Sequence, residues 1–185
     1  MFRKKPVYVL EDLIQADKEI ASSSSKPTSI ILINCGGNVS IDEVMPNIPE
    51  TTMVFVIDSH RPYHRDNVLD ESNIMLFGAE DVNMEKYENL DDGKEEEEEE
   101  DYDDEEEDGE REQPPKKKKR RGQTLDDLSS FYGTSAAMIG FQIAEAIGKQ
   151  NNNDILWWTI IGFTDQFIHH KISLEKFIQG IKNKA

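Results

Sequence analysis

Two apolar runs, each ending in polar residues and glycine, constrain the fold of this chain more than any other feature. Residues 30–33 are isoleucine or leucine and lead into Asn-Cys-Gly-Gly at 34–37, and the apolar residues 53–57 lead into Asp-Ser-His-Arg-Pro at 58–62. Short apolar runs of this kind are typical of strands that are buried on both faces of a parallel sheet. Ligands of open α/β sheets bind at the carboxyl ends of such strands, so these polar segments mark the expected site.

The spacing of apolar residues predicts an α/β fold in which a parallel sheet is flanked by helices. Strands are predicted over 28–34, 52–57 and 73–77, and a helix is predicted over about 10–20. Alternating strands and helices favour parallel strands joined by crossover helices. We therefore expect residues 1–78 to form the first part of a domain.

Residues 124–185 are predicted to continue the same domain as helices. Thr134 is expected to cap one helix and Asp154 the next, because short polar side chains accept hydrogen bonds from the first backbone amides of a helix. The second of these helices is apolar on all sides over 155–163, a pattern typical of a buried helix. We therefore expect its two tryptophans to pack in the core rather than to stack on nucleic-acid bases.

Much of the charge is concentrated in a segment, 79–123, that interrupts this pattern. Residues 91–112 hold 17 acidic and two basic residues, and six basic residues follow at 116–121, in a chain whose net charge is −17. A run of like charges repels itself and buries no apolar surface, so we expect 79–123 to be a disordered insertion. Its acidic part could dock basic partners such as histone tails or act as a solubilising spacer, and the composition does not choose between these functions.

The basic block after the acidic segment predicts a nuclear localisation signal. It consists of Lys116, Lys117, Lys118, Lys119, Arg120 and Arg121, directly after two prolines. The alternative is a counter-charge for the acidic run, but a dense basic block after proline favours the signal. We therefore expect the protein in the nucleus.

Membrane and disulfide classes are disfavoured. The longest apolar stretch falls short of the ~20 residues that cross a bilayer, and no long apolar segment follows the basic N-terminus, so we expect no membrane partner. The single cysteine, Cys35, excludes an intrachain disulfide. We expect Cys35 to be a small packing residue rather than a reactive thiol.

Four segments, in this order, resemble the cell division control protein 45 family, a eukaryotic branch of the DHH phosphoesterase superfamily that includes the RecJ nucleases. They are Ile-Asn-Cys-Gly at 33–36, Asp-Ser-His-Arg-Pro at 58–62, Tyr-Gly-Thr-Ser-Ala-Ala-Met at 132–138, and 156–166, which begins Leu-Trp-Trp. The resemblance covers 28–183, a minority of the family's usual length, and implies a DHH-like α/β domain. It also implies that the family's first strand and aspartate-rich motif have no counterpart before residue 28.

The resemblance implies a phosphoesterase site that has lost metal ligands. Active members of the superfamily hold divalent metal, usually manganese, with aspartates and histidines, and the metal activates a water. In this chain Asn34 stands at an aspartate position and Ser59 at a histidine position, whereas Asp58, His60 and Asp165 match ligand positions. We therefore expect no catalysis, no bound metal and no cofactor, with Asp58 and His60 as a hydrogen-bonded pair that braces the strand-end loop.

A small basic patch is predicted beside the crevice. It comprises Arg61, His64 and Arg65. Arginine can contact phosphate oxygens, so one interpretation is weak, sequence-independent binding of single-stranded DNA, which the resemblance also implies. The other is an ordinary solvated loop.

The resemblance implies a non-catalytic replication factor. Such a protein joins the minichromosome maintenance hexamer and the GINS complex at replication-origin chromatin, and it serves as a scaffold of the replicative helicase. The chain has no Gly-x-x-x-x-Gly-Lys phosphate loop, so a partner would supply ATP hydrolysis.

Two other functions stay open on the sequence. One is a working manganese-dependent DHH phosphoesterase, against which Asn34 and Ser59 count. The other is an acidic histone-binding protein, for which residues 91–112 would suffice.

Overall fold

A three-stranded parallel sheet with helices around it organises the part of the chain that the structure describes. The structure is a computed structural model, and it describes residues 3–80, 82–88 and 129–182. The strands of the sheet lie in the order β1-β2-β4, with β2 parallel to both neighbours. The predicted fold class is confirmed.

The elements follow one another as the sequence pattern indicates, with several short additions. In chain order they are α1 Leu10–Ser22, β1 Ser29–Ile33, α2 Ile41–Val44, β2 Met53–Ile57, β3 His60–Arg61, α3 Arg65–Leu69, β4 Ile74–Phe77, α4 Met84–Glu88, β5 Phe131–Tyr132, α5 Ala136–Ala146, α6 Asn153–Ile168 and α7 Leu174–Lys182. The three predicted strands each begin and end within a residue of the observed ones. The two-residue strands β3 and β5 pair antiparallel in a separate ribbon.

One face of the sheet forms the hydrophobic core. Leu32, Val54 and Val56 point to this face and pack with Leu13 of α1 and with residues of α2. Because side chains alternate along a strand, every second residue of each strand reaches this face. Burial on this face therefore accounts for the apolar residues at alternate positions of the three strands.

The opposite face of the sheet is only partly covered, which corrects the expectation that these strands are buried on both faces. Ile31 and Ile33 of β1 are 54% and 64% exposed, and Met75 of β4 is 45% exposed. The described helices α1 and α2 lie on the other face, and α5 reaches β2. Outward-facing side chains at the ends of the sheet therefore keep contact with solvent.

Part of the segment that the sequence predicts to be a disordered insertion is helical in the structure. Residues 84–88 form helix α4, in which Tyr87 is buried and its carbonyl accepts a hydrogen bond from Arg65 Nε at 3.1 Å. These contacts hold residues 84–88 against α3, so the predicted disorder is wrong for these five residues. The acidic run 91–112 and the basic block 116–121 lie outside the described residues.

The helices α5 and α6 pack closely, and their caps differ from those predicted. Ser135 caps α5 and Asn152 caps α6, each by accepting a backbone N–H, so the predicted caps Thr134 and Asp154 are wrong by one and two residues. A methyl group built on Gly162 would lie 2.5 Å from Cβ of Ala137. Glycine therefore permits the close approach of the two helices.

The outer face of α6 is exposed, which corrects the prediction that this helix and its tryptophans are buried. Trp157 and Trp158 are 59% and 66% exposed, whereas Thr159 and Gln166 are buried. The described helices α5 and α7 pack against α6 on part of its surface only, so an all-round apolar helix keeps one uncovered side. No helix among the described residues is long and apolar enough to cross a membrane.

Candidate functional site

The two strand-end segments predicted from the sequence lie together at the carboxyl end of the sheet. Asn34 follows β1 in the left-handed region, with φ 57°, and its N–H donates to the Ile57 carbonyl at 2.7 Å. Asparagine adopts this conformation more readily than most residues. Its side-chain oxygen accepts a hydrogen bond from Ser59 Oγ at 3.2 Å. Asn34 and Ser59, the two positions at which the resemblance implies lost metal ligands, therefore bind each other.

Asp58 is the buried centre of this site, with no exposed surface. One carboxylate oxygen accepts from the Gly37 N–H at 2.9 Å, and the other accepts from the His60 N–H at 3.2 Å. That second oxygen also lies 2.6 Å from Nδ1 of His60, so Asp58 and His60 form the hydrogen-bonded pair expected from the sequence. Both carboxylate oxygens are thus engaged in bracing the loop.

Gly37 leaves room for this bracing. A methyl group at Gly37 would lie 2.8 Å from the ring of Tyr63 and 3.0 Å from the Asp58 carboxylate. Tyr63 is fully buried, and its hydroxyl donates to the Asp58 carbonyl at 3.0 Å. The loop after β1 therefore needs glycine because backbone, ring and carboxylate meet there.

Arg61 is a structural residue, so the predicted basic patch is wrong at this position. It is 3% exposed, and its guanidinium donates to the carbonyls of Asp58, His60 and Gly78 at 2.7–3.0 Å. The guanidinium also lies 3.8 Å from the centre of the Tyr63 ring. The guanidinium N–H groups that would bind a phosphate therefore donate to backbone carbonyls at the ends of β2 and β4 instead.

His64 and Arg65 remain closer to the surface, and they are partly committed to local contacts. His64 caps α3 by accepting from the Asp66 N–H, and its Nδ1 lies 3.6 Å from the Asp66 carboxylate. Arg65 donates to the Tyr87 carbonyl of α4. The predicted patch is therefore reduced to two half-buried side chains.

Asn67 is a buried member of this site that sequence reasoning missed. Its amide donates to the carbonyls of Gly36 and Val39 at 3.1 and 2.7 Å, and its oxygen accepts from the Ile41 N–H at 3.1 Å. It is 2% exposed. The local sequence around it is polar and carries no signal for this role, because the loop that it holds is about 30 residues earlier in the chain.

Asp165 lies apart from this network in its contacts. It is on α6, about half exposed, and its carboxylate lies 3.2 Å from Nε2 of His169. Among residues 3–80, 82–88 and 129–182, no three histidine, cysteine, aspartate or glutamate side chains converge as metal ligands. The side chains at the strand ends are an amide, a hydroxyl and a carboxylate that is held by two backbone N–H groups and an imidazole. They do not fit the divalent metal that the resemblance implies for active phosphoesterases.

Cys35, in the segment that follows β1, carries a half-buried thiol. Burial, and then the negative charge of Asp58, raise the pKa of the thiol above its ordinary value. A raised pKa lowers the thiolate fraction at neutral pH, and the thiolate is the nucleophile. The direction of this shift is opposite to the one that activates a cysteine, and Cys35 packs against the hydrophobic core, as the sequence predicts.

Comparisons with known proteins show which family the chain matches. The model of the CDC45 family matches residues 1–129 and 115–183. The chain is 33% identical to the cell division control protein 45 homolog of Dictyostelium discoideum over 97% of its own length, and 34% identical to the homolog of Homo sapiens over 82%. It spans only 37% and 30% of the lengths of these two relatives.

A solved structure supports the fold. The crystal structure of CDC45 from Entamoeba histolytica superposes with a TM-score of 0.62 at 24% identity, over 96% of this chain and 26% of that one. At this identity the match shows the fold alone, whereas the family model covers most of the chain. The chain belongs to the CDC45 family.

Proposed function

We propose that this chain is a non-catalytic DNA replication factor that acts as a scaffold. Its proposed partners are the minichromosome maintenance hexamer and the GINS complex at origin chromatin, together with weakly held single-stranded DNA. Membership of a family whose relatives are named cell division control protein 45 homologs supports a role in replication. The partners are those that the sequence resemblance implies.

The observation that carries the non-catalytic part of the proposal is the buried Asp58, whose two carboxylate oxygens both bind groups of the loop. Its two oxygens accept three hydrogen bonds from Gly37 and His60, and the neighbouring Asn34 and Ser59 bind each other. A metal-assisted phosphoesterase needs carboxylates that are free to bind cations and to orient a water. Here the same positions stiffen the end of the sheet, which suits a rigid binding surface.

The test of the scaffold role is a pull-down with purified partners. The full chain and a version lacking 91–121 would each be immobilised and incubated with purified minichromosome maintenance hexamer and GINS. Circular dichroism would first establish that both versions are folded. We expect both to retain the partners, because the proposed interface belongs to the folded part.

Failure of both folded versions to retain either partner would overturn the scaffold role for this chain. Manganese-dependent hydrolysis of single-stranded DNA would be measured on the same preparations, with Asp58→Asn as the control for contaminating nuclease. Hydrolysis that the Asp58→Asn variant loses would contradict the non-catalytic part of the proposal.

We also propose that the chain is nuclear, on the strength of the basic block 116–121. The test is the distribution of a fluorescent fusion of the full chain and of a variant with alanine at all six basic positions. A matched control replaces six acidic residues of 91–112 with alanine. Nuclear accumulation that survives loss of the basic block would contradict the assignment.

A further inference from the structure

A cavity of about 500 Å³ lies between strand β5 and the turn that joins α6 to α7. Its lining includes two aromatic side chains and four side chains that carry or can take up positive charge: Phe131, Tyr132, His169, His170, Lys171 and Lys176. None of these residues belongs to the basic patch predicted from the sequence. The cavity therefore brings together aromatic and cationic groups from three segments of the chain.

The turn after α6 creates one wall of the cavity. His170 adopts the left-handed conformation, with φ 55°, and the Lys171 N–H donates back to the Gln166 carbonyl at 2.8 Å. Ser173 then begins α7 by accepting from the Lys176 N–H at 3.3 Å. This sharp reversal places the side chains of the turn and of the first turn of α7 around the same space.

Strand β5 supplies the aromatic wall. Tyr132 pairs with His60 across the ribbon, and the two rings are 5.2 Å apart. Lys171 Nζ lies 5.1 Å from the centre of the Tyr132 ring, so this ring holds a lysine in place. Phe131 is 50% exposed and leaves an aromatic surface open to a ligand.

The charge at this cavity opposes that of the chain as a whole. The chain carries a net charge of −17, yet Lys171 and Lys176 lie together on the cavity wall. The nearby carboxylate of Asp165 is paired with His169. Within the described part of the chain, neither lysine forms an ion pair, so both ammonium groups are available to an anion.

We propose that this cavity binds single-stranded nucleic acid, with a backbone phosphate beside Lys171 and Lys176 and a base stacked on Phe131. Cationic side chains that follow the backbone, combined with exposed aromatic rings, are the usual means of holding single strands without reading their sequence. The inference rests on the proposed function for its ligand class. It assigns the contact to a different surface from that of His64 and Arg65.

The test measures binding of a fluorescent oligothymidine by anisotropy, with the full chain and four variants. One of the four, His64→Ala with Arg65→Ala, alters the surface predicted from the sequence. The first variant is Lys171→Ala with Lys176→Ala, and the second is Phe131→Leu, which keeps an apolar side chain but removes the ring. The matched control is Lys18→Ala with Lys149→Ala, which removes the same charge at exposed positions outside the cavity. Thermal unfolding of each variant checks that the fold survives.

We expect Phe131→Leu to weaken binding at least about fivefold, because stacking on an aromatic ring contributes that much or more per base. The double lysine variant should lower the slope of log K against log salt by about 0.7 for each phosphate that the lysines neutralise in the unaltered chain. The control pair should leave the slope unchanged. Thymidine monophosphate would be tested as a competitor, since a strand should bind far more tightly than one nucleotide.

Three outcomes would overturn the inference, and they differ in what they say of the proposed function. The first is binding that all cavity variants retain but that His64→Ala with Arg65→Ala loses. This result would assign the nucleic-acid contact to the surface of His64 and Arg65. Equal affinity for the monophosphate and the strand would indicate a phosphate site only. No binding by the unaltered chain would remove single-stranded DNA from the proposed partners, while the pull-down would still decide the scaffold role.

Discussion

At the scale of single residues, the Asp58 carboxylate is the group on which the strand-end loop depends most. We expect Asp58→Asn to lower the free energy of unfolding by about 3 kcal/mol, because charge-assisted hydrogen bonds are removed and an amide N–H₂ would face backbone donors. Urea unfolding measures the change. The matched control is Asp165→Asn, at a half-exposed ion pair, where the change should stay below about 0.5 kcal/mol. Equal effects at both positions would contradict the bracing role.

Cys35 offers a second prediction, which depends on pH. Burial and the charge of Asp58 raise the pKa of its thiol, so the thiolate fraction at a given pH is lower in the folded chain than in the unfolded one. Labelling with a disulfide reagent should therefore be slower in the folded chain, and the pH midpoint of the rate should lie above that in urea. The signal is unambiguous because the chain has one cysteine. A folded midpoint at or below the unfolded one would refute the argument.

The sequence predicts some of these residues and misses others for a physical reason. Asp58 and His60 are two residues apart, so their pairing follows from local geometry at a strand end. Arg61 and Asn67 act on carbonyls of Gly78 and Gly36, which are far from them in the chain. Their roles depend on the final packing, and no local pattern distinguishes a buried arginine of this kind from one that meets phosphate.

At the scale of elements, we expect alanine to have opposite effects on the free energy of unfolding at two helical glycines. Gly162 of α6 lies so close to Ala137 that Gly162→Ala should force the helices apart and lower the free energy of unfolding by about 1–3 kcal/mol. Gly140 of α5 has nothing within 4 Å of its absent methyl, so Gly140→Ala should raise the free energy of unfolding by about 0.5–1 kcal/mol through helix propensity. Denaturant unfolding of both variants tests the packing, and a stabilising Gly162→Ala would contradict it.

The elements themselves were predictable where local pattern decides them. Apolar runs bounded by turn residues set the three strands of the sheet to within a residue. The short ribbon formed by β3 and β5 was not predicted, because it joins residues about 70 positions apart and each strand has only two residues. The burial of α6 was predicted wrongly. A helix that is apolar on all sides can be buried, but its sequence does not show whether neighbouring elements cover every side.

At the scale of the whole molecule, two uncovered apolar surfaces decide how the described part of the chain behaves in solution. One is the sheet face with Ile31 and Ile33, and the other is the outer face of α6 with Trp157 and neighbouring isoleucines. Soluble monomers rarely expose contiguous apolar patches of more than a few hundred Å². Burial of such surface contributes about 25 cal/mol per Å², whereas a net charge of −17 repels a second copy.

The balance between apolar burial and charge repulsion can be tested through the salt dependence of self-association. Added salt screens the repulsion over a Debye length of about 10 Å at 0.1 M and leaves apolar burial intact, so self-association should increase with salt. Sedimentation velocity at rising salt measures it for the full chain. If α6 is the contact, Trp157→Glu with Ile161→Glu should abolish the increase of self-association with salt. The control, Gln142→Glu with Asn151→Asp, adds the same charge at exposed polar positions and should preserve more of that increase. Association that weakens with salt would instead indicate contacts between opposite charges, and the apolar face of α6 would then have no part in it.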